Sequence, residues 1–291
     1  MSRAPLDVPA LRRDLLAPSG PLARLDVVDV AASTNTELVQ AVRRDPGAWG
    51  APAVLVAEHQ QAGRGRAGRE WQTPPRAALT VSVLLRPRLP GAALGWLPLL
   101  AGLAVARTLE AAGVAGATLK WPNDVLLPAA DDVPGLGRAR KVAGVLAEVV
   151  PGVPGLAVVV GVGLNVDQTA AELPVPTATS LALSRPLSRP GDAPGRGALL
   201  GTLVRELVGL AADLEGAGGD AAAAGLARRY AAASATLGRP VRAELAGRDD
   251  VVEGTAVRVA GDGSLVIATA AGERGVTAGD VHHLRTQRGT R

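Results

Sequence analysis

The sequence predicts an α+β protein in two parts: a body of mixed β-sheet with helices packed on it, and a small C-terminal β-barrel. Three observations carry this. Short apolar strands alternate with helical runs as far as Gly238. A long apolar run, Leu94 to Ala112, ends at Gly113 as a helix ends. Beyond Gly238, Val-rich strands separated by Gly and Asp turns take over, and about 50 residues holding four or five strands suit a barrel. The division expected is an N-terminal extension over 1–20, a body over 21–237 and a barrel over 238–291.

Leu25 to Val30 reads as a strand. Ser33-Thr34-Asn35-Thr36-Glu37 opens a helix to about Arg44, with Thr34 and Glu37 at capping-box spacing. Ala53 to Glu58 is a buried strand, and a Gly/Arg loop follows from Gln60 to Thr73. Ala78 to Leu85 alternates as a strand does. Thr118 to Leu127 is a strand pair or a bent strand interrupted at Pro122, and Asp131 to Arg140 is a hairpin-like turn at Pro134-Gly135. Lys141 to Val150 and Leu156 to Gly163 are strands joined by a Pro/Gly turn. Helices are expected near Leu199 to Leu214 and Ala221 to Leu237. In the tail, Val241 to Glu244, Val251 to Val259, Ser264 to Thr269 and Gly272 to Thr277 are strands, with a hairpin turn at Ala260-Gly261-Asp262-Gly263.

Composition removes several functions. No Cys means no disulfide, thiolate zinc site or cysteine nucleophile, and three His make a histidine metal centre improbable. The longest apolar stretch, Leu97 to Ala106, is short of the roughly 20 residues that span a bilayer. No hydrophobic segment follows the charge at Arg3, so no secretory signal is read and the cytoplasm is expected. Basic and acidic residues number 23 and 20 before Gly238 and 8 and 7 after it, which is too even for a nucleic-acid binder. Among 31 basic residues only Lys120 and Lys141 are lysines. A compact ammonium kept against so strong an arginine bias suggests sites that need it.

Five segments carry candidate chemistry. Ser33-Thr34-Asn35 at a helix start can cradle a polar ligand group, though taken alone it reads as a cap. Gly63-Arg64-Gly65-Arg66-Ala67-Gly68 spells G-x-G-x-x-G after a strand. Trp71-Gln72-Thr73-Pro74-Pro75 blocks the helix that a dinucleotide fingerprint must open. Glycine backbone with Arg64, Arg66 and Arg69 suits phosphates instead, floppy when empty and ordered when wrapped on them. A solvated loop or a nonspecific RNA contact fits the loop alone equally well. Lys120-Trp121-Pro122-Asn123-Asp124 is a stiff turn with a charge at each end. Lys141-Val142-Ala143-Gly144 pairs a lysine with a glycine that admits a ligand, or is an edge lysine. Gly161-Val162-Gly163-Leu164-Asn165-Val166 thins the sheet for something packed on it, or is a bulge.

In this order the five segments resemble the biotin–protein ligases, from roughly Leu25 to the C-terminus. Ala67 stands where many relatives carry another arginine. The resemblance implies a class II synthetase-like ligase body and an SH3-like tail. With about 20 residues ahead of the body, it implies the monofunctional type without an N-terminal DNA-binding domain. It implies biotin, ATP and Mg2+, formation of biotinyl-5′-AMP, and transfer to a lysine of the biotin carboxyl carrier domain of an acyl-CoA carboxylase. Lys141, Arg64, Arg66, Asp124 and Lys120 would be catalytic: Lys141 bridges carboxylate and α-phosphate, Asp124 orients the acceptor lysine or takes its proton, and Lys120 assists. Ser33, Thr34, Asn35, Gln60, Gly63, Gly65, Trp71, Gly144, Gly163 and Asn165 would bind substrate with them. No metal ligand is assigned. No membrane and no specific DNA partner are expected, and a homodimer is compatible with the resemblance. The alternatives are a lipoate–protein ligase, a biotin-responsive regulator without catalytic role, and an RNA-binding module, the last weakened by 2% aromatic content.

Overall fold

The structure, a computed structural model, describes residues 3–133, 137–184, 194–245, 251–277 and 279–284. The body runs through α1 (Val8–Leu15), β1 (Arg24–Ala31), α2 (Thr34–Arg44), β2 (Ala53–Gln60), β3 (Gly63–Arg64), β4 (Glu70–Trp71) and β5 (Ala78–Leu85). It continues with α3 (Trp96–Ala111), β6 (Thr118–Lys120), β7 (Asp124–Val133), β8 (Gly137–Val149), β9 (Val158–Asn165), α4 (Leu181–Ser184), α5 (Arg196–Gly216) and α6 (Leu226–Ala233). The tail holds β10 (Pro240–Leu245), β11 (Val251–Val259), β12 (Leu265–Thr269), β13 (Gly272–Val276) and β14 (Gly279–His283).

Seven strands form one mixed sheet in the order β1-β2-β5-β9-β8-β7-β6. Only β1 and β2 pair in parallel; the other pairs are antiparallel. Every residue of β5 is buried, as a central strand with both faces covered requires. One face carries α3 and α5 over a large apolar core that includes Val81, Val83, Val160 and Val162. The other carries α2 over a smaller cluster built on Leu38, Val42 and Trp49. Gly91–Ala111 is long and apolar enough to cross a membrane, but it lies mostly buried against the sheet and is the core helix.

The tail is a five-stranded antiparallel sheet, β13-β12-β11-β10-β14. It interlocks with the body through two indoles. Trp96 Nε1 donates to Ala260 O at 3.1 Å, and Trp121 Nε1 donates to Gly263 O at 3.1 Å. Gly95 and Gly263 meet backbone to backbone, so a methyl group on either would overlap the other segment.

Several local expectations change. Residues 8–15 form α1, capped by Asp7, and Leu6, Leu11 and Leu15 join the main core of the body. A buried ion pair fastens this segment: Arg196 Nη1 lies 2.5 Å from Glu58 Oε2, Leu6 N donates to Glu58 Oε1, and Arg196 Nη2 donates to Ala4 O. The helix expected over Ala221 to Leu237 is shorter, because Gly225 is left-handed (φ 69°) and Ser234 turns extended to pair with Leu119. The α2 cap is Ser33 rather than Thr34; Glu37 instead accepts from Ala32 N at 2.6 Å. The segment around Pro122 is a strand pair, β6 and β7. The turn read at Pro134-Gly135 lies outside the described residues.

Candidate active site

Beside α2, a cavity of about 660 Å³ opens on this sheet face, lined by residues of β7, β8 and β9. Its floor is made where side chains are small. On β9, Val160, Val162 and Leu164 face the helical core, leaving Gly161, Gly163 and Asn165 to the cavity. On β8, simple alternation would put Lys141 and Gly144 on opposite faces. A register shift opposite Val125/Leu126 pairs Val125 with Ala143 and Leu126 with Lys141, leaving Val142 as an extra residue. Val142 and Ala143 both enter the core, so Lys141 and Gly144 both line the cavity.

At one end, the start of α2 meets the end of β2. Freed from capping, Thr34 donates to Gln60 Oε1 from both N, at 2.8 Å, and Oγ1, at 3.0 Å. Ser82 Oγ lies 2.8 Å from Thr34 Oγ1 and 2.6 Å from Asn35 Oδ1. Asn35 Nδ2 donates to Leu146 O and Glu148 Oε2. A methyl group on Gly161 would overlap this amide. Asn165 accepts from Gln168 Nε2 at 2.8 Å and donates to Thr179 O at 2.9 Å. Asn35 and Asn165 line the cavity yet spend both amide atoms on protein, so they hold its walls.

The arginine loop is a hairpin, with Gly63 paired to Trp71 and Arg64 to Glu70. Gly65 N donates to Arg69 O at 2.6 Å, and the tip turns through left-handed Ala67 (φ 53°) and Gly68 (φ 73°). Trp71 reaches from the loop onto Gly163 and Gly144. Its Nε1 is buried and finds no hydrogen-bond partner among the described residues. A buried N–H left alone costs about 1–3 kcal/mol, so this donor has a strong need of an acceptor.

The opposite wall is the turn between β6 and β7. Trp121 N donates to Thr236 Oγ1 at 3.0 Å, and Asn123 Nδ2 donates to Val145 O at 3.1 Å. So held, the turn presents Lys120 and Asp124 to the cavity, and Lys141 Nζ sits 2.7 Å from Asp124 Oδ1 and 5.7 Å from the Trp71 ring centroid. Burial, and after it the charge of Asp124, push the Tyr230 hydroxyl well above its ordinary range. From the tail, His282 lines the cavity, and its neighbour His283 is pushed down to about 4, chiefly by burial and then by the Lys120 charge.

Every site residue expected from sequence lines this cavity except Gly63, which lines a second hollow formed by the loop with Leu146 and Glu148 of β8. Arg64 and Lys141 therefore share one chamber. Five cations line it (Arg64, Arg66, Arg69, Lys120, Lys141) against two carboxylates, Glu70 and Asp124. Sequence reasoning missed Ser82, Glu148, His282 and the 174–178 wall. For Ser82 the signal was present: a hydroxyl inside a strand that is otherwise apolar but for Thr80 needs a buried partner.

Residues 27–165 match the Biotin/lipoate A/B protein ligase family, and residues 236–284 match the Biotin protein ligase C terminal domain. Biotin--[acetyl-CoA-carboxylase] ligase of Mycobacterium tuberculosis is 41% identical over 287 residues, 97% of each chain. Bifunctional ligase/repressor BirA of Escherichia coli is 36% identical over 155 residues, which are 53% of this chain and 43% of that protein. The solved biotin protein ligase from Aquifex aeolicus, in complex with biotin and ATP, aligns with a TM-score of 0.66 at 26% identity, covering 91% of this chain and 99% of that one. With a relative 41% identical over 97% of both chains, the chain belongs to the biotin/lipoate A/B protein ligase family.

Proposed function

We propose that the chain is a biotin–[biotin carboxyl-carrier protein] ligase acting in two steps. The carboxylate of biotin attacks the α-phosphate of ATP, giving biotinyl-5′-AMP as pyrophosphate leaves. A lysine of the biotin carboxyl carrier domain of an acyl-CoA carboxylase then attacks the acyl carbon, and AMP leaves. The relative named for joining biotin to acetyl-CoA carboxylase and the solved relative holding biotin and ATP support this reading. The observation that carries it is the convergence of Arg64, Arg66, Lys120 and Lys141 on one cavity. The first step brings two anions together, and without cations aimed at both the repulsion would dominate.

Within this reading Gln60, Thr34 and Ser33 hold the polar ring of biotin, and Trp71 Nε1 donates to a ligand oxygen. Arg64, Arg66 and the loop backbone take the phosphates, and Lys141 spans carboxylate and α-phosphate. Once closed, the loop keeps water from the mixed anhydride. Asp124 receives the acceptor amine, with Lys120 beside it. Magnesium fits as the counterion of ATP, screening its phosphates: Asp124 and Glu70 are the lining carboxylates, and a phosphate-borne cation needs no all-protein cage. The reading places the enzyme in the cytoplasm with no DNA partner.

The test is mass spectrometry of a carrier domain after incubation with the protein, biotin and MgATP. One added biotin on one lysine is expected, with no change when lipoate replaces biotin. Lipoylation without biotinylation would overturn the reading.

A further inference from the structure

The chain has two lysines, Lys120 and Lys141, and both line the cavity. The other 29 basic residues are arginines, whose guanidinium stays protonated and does not attack acyl groups. This distribution bears on a hazard of the proposed chemistry, on which the inference rests. An acyl adenylate made to react with an amine is held beside the enzyme's own amines. Over most of the surface there is nothing to acylate. Inside the cavity Lys141 is the exposed risk, because its role puts Nζ against the reacting carboxylate.

Two contacts bear on that amine. Asp124 Oδ1 lies 2.7 Å from Nζ, with both side chains mostly buried (32% and 23% exposed). The Trp71 ring lies beyond, its centroid 5.7 Å from Nζ. A carboxylate and an aromatic face both bind the ammonium form, which has no lone pair to attack with. The bulge at Val142 fixes the phase of Lys141, and the register Asp124↔Gly144 sets the carboxylate alongside.

We propose that Asp124 guards Lys141 against acylation by the enzyme's own adenylate, as a positioning residue acting through Lys141. Without the guard the side reaction balances. Neutral Nζ attacks the acyl carbon, a C–N amide bond forms, and the bond from acyl carbon to phosphate oxygen breaks. AMP leaves with the electron pair, and the amine proton passes to solvent. The product is a biotinylated, inactive enzyme.

The test uses the full chain, synthetic biotinyl-5′-AMP and no carrier domain, so a variant that cannot make the adenylate is still informative. Peptide mapping reads biotin on Lys141, on Lys120 and on the α-amino group. The unaltered protein should label at the α-amino group and scarcely at Lys141. Asp124→Asn should raise Lys141 labelling about tenfold or more relative to the α-amino group. Unchanged Lys141 labelling overturns the proposal, and so does a rise shared by all three amines, which would report general loosening. Pyrophosphate release from biotin and MgATP by the unaltered protein tests the ligase reading separately.

Discussion

The indole of Trp71 lies on the Cα of Gly163 with no room for a side chain between them. Loop and sheet therefore touch at this point, and the contact sets how far the arginine hairpin descends over the cavity. Gly163→Ala should lift Trp71 without disturbing β9, because an alanine fits a strand as well as a glycine does. Affinity for biotin is expected to fall about tenfold, and Gly163→Ala/Trp71→Leu should lose less than the sum of the two single changes. Calorimetric titration of the four proteins checks this; strict additivity would mean that the contact does not shape the site.

Lys141→Arg keeps a cation but exchanges a compact ammonium for a wider fork. Between Asp124 Oδ1 at 2.7 Å and the Trp71 ring there is little space for it. Adenylate formation should fall about a hundredfold, the scale of losing one aimed donor. Pyrophosphate exchange with biotin and MgATP measures it, and an arginine variant near full activity would show that charge alone is needed.

Much of this site was legible because its motifs are local. Ser33 to Asn35, the glycine–arginine loop and Lys120 to Asp124 each lie within one turn or loop, so their chemistry survives being read in isolation. What the sequence could not show was phase. Lys141 and Gly144 are three residues apart, and only the bulge at Val142, created by pairing with β7, turns both to one face. The two asparagines illustrate the same limit. Asn35 and Asn165 sit in site motifs and border the cavity, but their partners, Ser82, Glu148, Gln168 and Thr179, come from other segments. In the fold, the strands followed from alternation. Helix α1 was overlooked because its leucines bury only against distant α5 and the sheet. The bounds of α6 were misjudged because Ala-rich sequence carries helix propensity across Gly225, which is left-handed at the start of the helix, and past Ser234, which turns extended to pair with Leu119.

The Glu58–Arg196 pair joins β2, α5 and the N-terminal segment, with both side chains about 5% exposed. Glu58→Gln leaves a buried guanidinium without its counter-charge and should cost about 3–5 kcal/mol. Glu58→Gln/Arg196→Met should cost less than Glu58→Gln alone, since no uncompensated charge remains. Urea unfolding of both variants decides it; a double variant weaker than the single would count against the argument.

His283 makes the join between tail and body sensitive to acid. Its Nε2 lies 3.2 Å from Thr236 Oγ1, and that oxygen accepts the Trp121 backbone N–H at 3.0 Å. Thr236 can pass its own proton to His283 only while Nε2 is bare. Burial lowers the imidazole from 6.5 to about 4 in the folded chain. The unfolded chain thus binds the proton first as pH falls. The stability this group contributes is fully present above pH 6.5 and is lost progressively as pH drops toward 4. Protonation would leave the threonine facing a donor and pull on the turn that carries Lys120 and Asp124. Unfolding free energy should therefore decline between pH 6.5 and 4, and His283→Phe should flatten that part of the profile while lowering stability at pH 7. Urea titrations at half-unit pH steps measure both curves, and parallel curves across this window would show that His283 is not the group responsible.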